Sequence, residues 1–199
     1  YDLDGYPDIF AANGHIEEEI GRVQPKVQYK EPPLLFRNRG KRRFENVTAS
    51  MGTAFNRAIV ARGAAYADYD HDGDLDVLIT TNHGPAYLFR NDGGNRNHWL
   101  CVRLVGTKSN RDGIGAVVRV ESASGKQWNA VHSGGSYCSQ SDLALTFGLG
   151  KDTVVTALEI EWPSGAKQRL TNITPNQFLT INEGKGIVAK AGPTPNHVP

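Results

Sequence analysis

Between residues 98 and 105 apolar and polar side chains alternate, with Leu100, Val102 and Leu104 on one face, the period of two of a half-buried strand. The same texture runs through the second half of the chain. Residues 116–121 and 127–132 flank Ser122-Ala123-Ser124-Gly125-Lys126, a hairpin connection, and strand-like runs follow at 143–147, 154–162, 167–170 and 178–181. Pro163-Ser164-Gly165 is a turn. Seven short strands without a helical stripe predict a small antiparallel β-sandwich, jelly-roll-like in layout. Gly115, Gly148 and Gly150 mark tight turns or close backbone approaches.

The first half is patterned by repetition. Asp4-Gly5-Tyr6-Pro7-Asp8-Ile9-Phe10-Ala11-Ala12-Asn13 aligns with Asp72-Gly73-Asp74-Leu75-Asp76-Val77-Leu78-Ile79-Thr80-Thr81 at an offset of 68, and Leu35-Phe36-Arg37-Asn38 aligns with Leu88-Phe89-Arg90-Asn91 at an offset of 53. The difference of 15 residues is an insertion within 14–33 of the first copy. Repeats of an acidic loop followed by strand-like runs predict an array of small antiparallel sheets, of which this chain holds the C-terminal members. A turn-rich stretch at 91–97 links the array to the sandwich. Residues 184–199, rich in Pro and Gly, have the composition of a disordered tail, or of one ordered by a partner surface touching Ile187, Val188 and Val198. The expected organisation is a repeat region at 1–93, a sandwich at 94–184 and a tail at 185–199.

Charge sharpens this picture. The chain of 199 residues carries 22 Lys plus Arg and 21 Asp plus Glu, a formal net charge of +1, with 39% hydrophobic residues. That is enough apolar material for a core, and it excludes an acidic disordered tail or a broadly basic nucleic-acid arm. No apolar run approaches the ~18 residues of a membrane span. Eight of the acids (Asp2, Asp4, Asp8, Asp68, Asp70, Asp72, Asp74 and Asp76) are concentrated in the two loops, leaving a basic remainder.

In the loop from Asp68 to Asp76 carboxylates stand at positions 1, 3, 5 and 9, with Gly73 at position 6 where the backbone turns sharply. Alternate carboxylates converge when such a loop wraps a hard cation, and Ca²⁺ takes 6 to 8 oxygens. Asp68, Asp70, Asp72 and Asp76 are expected to offer side chains and Asp74 its backbone carbonyl. An EF-hand is excluded, because position 12 is Ile79 and a strand-like run follows rather than a helix. The first copy keeps Asp2, Asp4, Gly5 and Asp8 at positions 3, 5, 6 and 9, with Tyr6 at position 7; position 1 would precede Tyr1.

Catalytic chemistry has little support. His132-Ser133 are neighbours on a strand and so point to opposite faces, no G-x-S-x-G elbow is present, and the six histidines have no metal-ligand spacing. Arg37, Arg39, Lys41, Arg42 and Arg43 read as a solvated hairpin tip rather than a phosphate site. Trp99, Trp128 and Trp162 are the candidates for an aromatic glycan platform, with core packing as the competing reading.

The loop from Asp68 to Asp76 and its following strand resemble the calcium-binding FG-GAP repeat of integrin-type β-propellers, whose blades are four-stranded antiparallel sheets. From Asn97 onward the chain resembles the ASPIC/UnbV domain of the cartilage acidic protein family and its bacterial relatives. The resemblance is carried by Asn97-His98-Trp99-Leu100, Gly106-Thr107-Lys108-Ser109-Asn110-Arg111-Asp112-Gly113-Ile114-Gly115-Ala116, Gly134-Gly135-Ser136-Tyr137, Phe147-Gly148-Leu149-Gly150, Trp162-Pro163-Ser164-Gly165, and Asn176-Gln177 before Glu183. It implies a secreted or periplasmic, calcium-stabilised, non-catalytic binding or adhesion module with a protein or glycan partner. A structural accessory subunit of an extracytoplasmic assembly and a carbohydrate-binding module are the alternatives. Cys138 departs from the family pattern, and a disulfide to Cys101 stays open.

Overall fold

The computed structural model describes residues 1–194. In its first half β1 (Ile9–Ala11), β2 (Leu34–Asn38) and β3 (Phe44–Asn46) form one antiparallel sheet in that order, and β4 (Ala61–Ala67), β5 (Asp76–Thr81) and β6 (Tyr87–Phe89) form another. Each acidic loop runs into the strand that follows it, β1 or β5, so the sequence repeat is also a structural one. Each sheet has three strands where the resemblance implies four. Val77 and Ile79 of β5 pack with Phe10 of β1 and the following Ala12, together with Ile59, Ala61, Tyr87 and Phe89. Phe55 joins them edge-on, 6.0 Å from the Phe10 ring and 5.0 Å from Phe89.

The 14–33 insertion contains one short helix, α1 (Ile20–Val23), and folds back on the start of β4. Arg62 donates to the carbonyls of Gly14 and His15 at 3.1 and 3.0 Å, and Glu31 bridges Ile59. Its backbone polar groups thus find partners in the second sheet, as a long loop on a small domain requires.

The second half is a sandwich of β7 (His98–Val105), β8 (Val117–Ser122), β9 (Gly125–Ala130), β10 (Leu145–Gly150), β11 (Val155–Glu161), β12 (Lys167–Ile173), β13 (Gln177–Asn182) and β14 (Gly186–Ala191). One sheet has the order β10-β7-β13-β14 and the other β12-β11-β8-β9; every neighbouring pair is antiparallel except β13 and β7. Leu100, Val102, Leu104, Val118, Val120, Leu158, Ile160, Leu179 and Ile181 fill the space between the sheets. The inward residues are those of the period-two pattern, because only one face of each strand meets the other sheet.

Two expectations are corrected. The segment from residue 185, expected to be a tail, begins with an eighth strand. Gly184 and Gly186, with φ of 77° and 84°, turn the chain into a hairpin that pairs β14 with β13. Ile187, expected to meet a partner, packs on the sandwich core, Val188 is exposed, and Val198 lies outside the described residues. An edge strand with one anchoring side chain has no alternation for a sequence pattern to detect. The second correction is β7, expected to be wet on one face. Trp99 and Cys101, on the face opposite Leu100, are buried as well.

What covers that face is the repeat region. Leu3, Trp99 and Cys101 form a small core with Ala144 and Phe178, and the His71 ring stands edge-on to Phe178 at 5.5 Å. The Trp99 indole lies flat over Gly73: a Cβ there would fall 2.1 Å from Cε2. A Cβ at Gly148 would likewise fall 2.6 Å from the Leu3 carbonyl carbon, which is why these positions have no side chain. Gly150 donates to the carbonyl of Leu3 at 2.9 Å and Thr194 to that of His71 at 2.7 Å. Both cysteines are free, Cys101 buried and Cys138 exposed, so the disulfide left open by the sequence does not form.

Candidate metal centre

The acidic loop between β4 and β5 is shaped by its own carboxylates. Asp68 accepts the N–H groups of Asp72 and Gly73 at 3.1 and 2.9 Å, Asp72 that of Asp74 at 3.1 Å, and Asp76 those of Tyr69 and Asn91 at 3.1 and 2.8 Å. His71 and Gly73 take φ of 59° and 106°, the left-handed turns that let the chain circle back. The result brings carboxylate oxygens of Asp68, Asp70 and Asp76 within 4.8 Å of one another. Asp72 and Asp74 stand outside that triad. Asp74 is fully buried and turns its side chain to the Gly94-Asn95 turn, where Asn95 N–H donates to it at 3.2 Å.

At such separations two unit negative charges repel by about 3–4 kcal/mol in an effective dielectric of ~20. Burial, with the Asp72 charge adding to it against the N–H of Gly73, pushes the Asp68 carboxyl up to about 6. Burial and the charges of Asp72 and Asp76 push Asp74 up to about 7, and Asp76 is raised by burial as well. Among the described residues no basic side chain forms an ion pair with any of the five. Oδ1 of Asp70 and Oδ1 of Asp74 are buried without a hydrogen-bond partner. An orphaned oxygen inside a carboxylate triad fits a hard divalent cation, which takes oxygen ligands and neutralises them together.

The first loop has the same backbone and another solution. Leu3 and Gly5, the counterparts of His71 and Gly73, take φ of 54° and 94°. Asp8 accepts Asn38 N–H at 2.7 Å as Asp76 accepts that of Asn91, and Tyr6 N–H donates to Asp4 at 2.9 Å as that of Asp74 donates to Asp72. Here, however, Arg37 reaches in from β2, its Nη2 2.6 Å from Asp2 and 3.3 Å from Asp4. Of Asp2, Asp4, Tyr6 and Asp8, expected as a second metal site, the first two thus meet a side-chain cation, and the one carboxylate triad among the described residues is that of Asp68, Asp70 and Asp76. The basic residue expected at a solvated hairpin tip stands at the first loop instead, because Arg37 precedes the tip and its side chain points back along the sheet. Arg90, its counterpart, pairs with Asp92 at 2.7 Å and leaves the second loop without a guanidinium.

A further buried carboxylate is one whose role the sequence left unread. Glu183, 4% exposed, accepts the N–H groups of Thr107, Lys108 and Ser109 on Oε2 at 2.8, 2.7 and 2.8 Å. Its Oε1 accepts the hydroxyls of Ser109, at 3.0 Å, and Ser164. Burial works against this charge, but those donors outweigh it and hold the carboxyl far below the usual range. One glutamate thus fastens the 107–109 loop and the 163–165 turn to the end of β13. The signal was the run of small and polar residues around Thr107-Lys108-Ser109 with no ligand to explain it.

The molecule is an all-β protein in which blade-like sheets with acidic loops carry a docked sandwich. Residues 1–79 match the family model described as FG-GAP-like repeat, and residues 106–188 match that described as ASPIC and UnbV. The chain is an FG-GAP-like repeat segment followed by an ASPIC/UnbV domain. It is similar to cartilage acidic protein 1 of Xenopus tropicalis, 35% identical over 109 residues that make up 52% of this chain and 16% of that protein. Against the Homo sapiens protein of the same name the identity is 33% over 127 residues, 61% of this chain and 18% of the relative. The chain thus spans less than a fifth of the length of these relatives. No helix among the described residues is long and apolar enough to cross a membrane.

Proposed function

We propose that this chain is a secreted, calcium-stabilised, non-catalytic binding module: blades of a β-propeller whose acidic loop serves as a cation-held base for the sandwich. The observations that carry the reading are the convergence of Asp68, Asp70 and Asp76 and the buried, unpartnered Oδ1 of Asp70. Bound Ca²⁺ would be held by these three carboxylates, and its charge would remove their mutual repulsion. The same loop bears the sandwich, through Gly73 under Trp99 and His71 against Phe178 and Thr194. Ordering of the loop by a cation therefore stiffens the joint between the two halves, which suits a module that presents surfaces to a partner in a fixed relation.

The FG-GAP and ASPIC/UnbV matches support an extracytoplasmic setting, where calcium is plentiful and weak sites with dissociation constants of order 10⁻⁴ to 10⁻³ M suffice. Against a hydrolytic role for His132, its Nδ1 is engaged with the Gly134 carbonyl at 3.0 Å rather than with a hydroxyl. Calorimetric titration of the chelator-treated chain with CaCl₂ tests the reading. One saturable site is expected, lost in Asp70→Ala and kept in Asp2→Ala. No heat of binding and no change in melting on adding calcium would sink it.

A further inference from the structure

Of the three tryptophans, Trp99 and Trp162 are 1% and 2% exposed, whereas Trp128 is 71% exposed. It stands on β9, at the end of a row that the register runs across the outer face of the β12-β11-β8-β9 sheet: Trp128, Arg119, Glu159, Arg169. The adjacent row is Lys126, Glu121, Ala157, Thr171. Long side chains stand around the single methyl of Ala157, and the height difference leaves a depression of about 410 Å³ walled by Trp128, Arg119, Lys126, Glu121, Glu159 and Arg169.

The chemistry of this depression is mixed and nearly neutral. Arg169 pairs with Glu159 at 2.8 Å, Arg119 with Glu161 at 3.1 Å and Lys126 with Glu121 at 3.3 Å. Every base in the wall is matched by an acid, which disfavours a polyanion such as nucleic acid or a sulfated chain. Glu159 engages its partner through Oε1 and Arg169 through Nη1, so acceptors and donors remain side by side at the rim. The volume lies within the ~300–1,000 Å³ of small-ligand pockets. Four strands about 4.8 Å apart and three rows about 6.8 Å apart give a face of only about 400 Å², half of the ~800 Å² per partner of a standard protein interface.

We propose that this depression binds a neutral oligosaccharide. One sugar ring lays its C–H face on the Trp128 indole, which offers a broad apolar surface at low entropic cost, and its hydroxyls exchange hydrogen bonds with Arg119, Glu159 and Arg169. The inference deepens the binding-module reading and rests on it. The site lies on the outer face of the β12-β11-β8-β9 sheet and uses none of the acidic-loop carboxylates, so the two readings can fail separately.

The test uses the intact chain in calcium. Because Trp99 and Trp162 are buried, iodide quenching of tryptophan fluorescence reports Trp128. Cellotetraose, mannotetraose and chitotetraose are the probes, a heparin tetrasaccharide is the anionic comparison, and sedimentation follows self-association. At least one neutral tetrasaccharide should protect Trp128 saturably. Trp128→Ala should weaken that binding by about tenfold or more and Glu159→Gln by severalfold, with melting temperature and calcium uptake unchanged. Four results would each overturn the proposal: no saturable binding of the three, equal binding by Trp128→Ala, tighter binding of the heparin fragment, or a concentration-dependent dimer that Trp128→Ala abolishes. Loss of calcium uptake with intact sugar binding would fail the calcium reading alone.

Discussion

Leu3 and His71 occupy the same place in the two acidic loops, take nearly the same left-handed φ, and each gives its carbonyl to an N–H of the second half, from Gly150 and Thr194. Around that shared backbone the charges are resolved differently. In the first loop Arg37 crosses from β2 to Asp2 and Asp4; in the second the matching Arg90 turns outward to Asp92, and Asp68, Asp70 and Asp76 face one another. A loop whose carboxylates share a side-chain cation has little to gain from a metal. One whose carboxylates have only backbone N–H groups to offset them gains the full relief of repulsion when a metal arrives. Sequence motif and backbone geometry are therefore alike in the two loops, and the difference between them lies in the placement of Arg37 and its counterpart Arg90.

The contrast can be broken at the backbone. Gly73→Ala would force a methyl into the Trp99 indole at a φ of 106°, so overpacking and left-handed strain together should cost about 3–5 kcal/mol. Gly5→Ala meets only ordinary contact, its nearest atom 3.4 Å away, and should cost about 1–2 kcal/mol. Equal denaturation midpoints for the two variants would show that Trp99 does not sit on the second loop.

Calcium itself is the next lever. At a concentration a hundredfold above the dissociation constant the intact chain should gain about 2.7 kcal/mol, a melting rise of roughly 5–10 °C. Asp70→Ala should remove the rise while Asp2→Ala, its counterpart, keeps it. A rise lost in Asp2→Ala and kept in Asp70→Ala would reverse the assignment of the two loops.

Removing the internal cation sharpens the comparison from the other side. Arg37→Ala leaves Asp2 and Asp4 facing each other and should destabilise the chain by about 1–2 kcal/mol, since the pair is only partly buried. Part of that loss should return on adding calcium if the first loop then behaves as the second does. Denaturant melts of Arg37→Ala with and without calcium read both effects: a calcium gain larger than that of the intact chain is expected, and a gain no larger would mark the first loop as a structural turn only.

The smallest effect concerns Glu183, whose charge is met by N–H groups and hydroxyls rather than by any cation. Its folded-state pKa is depressed, so its contribution is fully present above the unfolded value of about 4.3 and is lost as pH falls below it. Melting curves between pH 7 and pH 3 should show an acid-side decline that is shallower in Glu183→Gln. The same slope in both proteins would assign the decline to other carboxylates.

Much of this molecule was legible in the sequence. Period-two runs gave the sandwich strands, since a residue's neighbour on a strand always faces the other way, and the spacing of Asp68, Asp70, Asp72 and Asp76 with Gly73 marked the loop. The side-chain directions within it were not: Asp72 accepts Asp74 N–H and Asp74 turns to the Gly94-Asn95 turn, directions that no spacing encodes. β14 escaped because one anchoring residue, Ile187, carries no period.

The sequence by itself determined which stretches alternate, which loops concentrate acid and which repeats correspond, because these follow from local periodicity and residue type. Tertiary structure alone decided that Trp99 caps an acidic loop while Trp128 stays in solvent, and that Arg37 turns inward while Arg90 turns out. Those outcomes depend on which faces meet in the folded chain, and alternation specifies that a face exists without saying what will cover it.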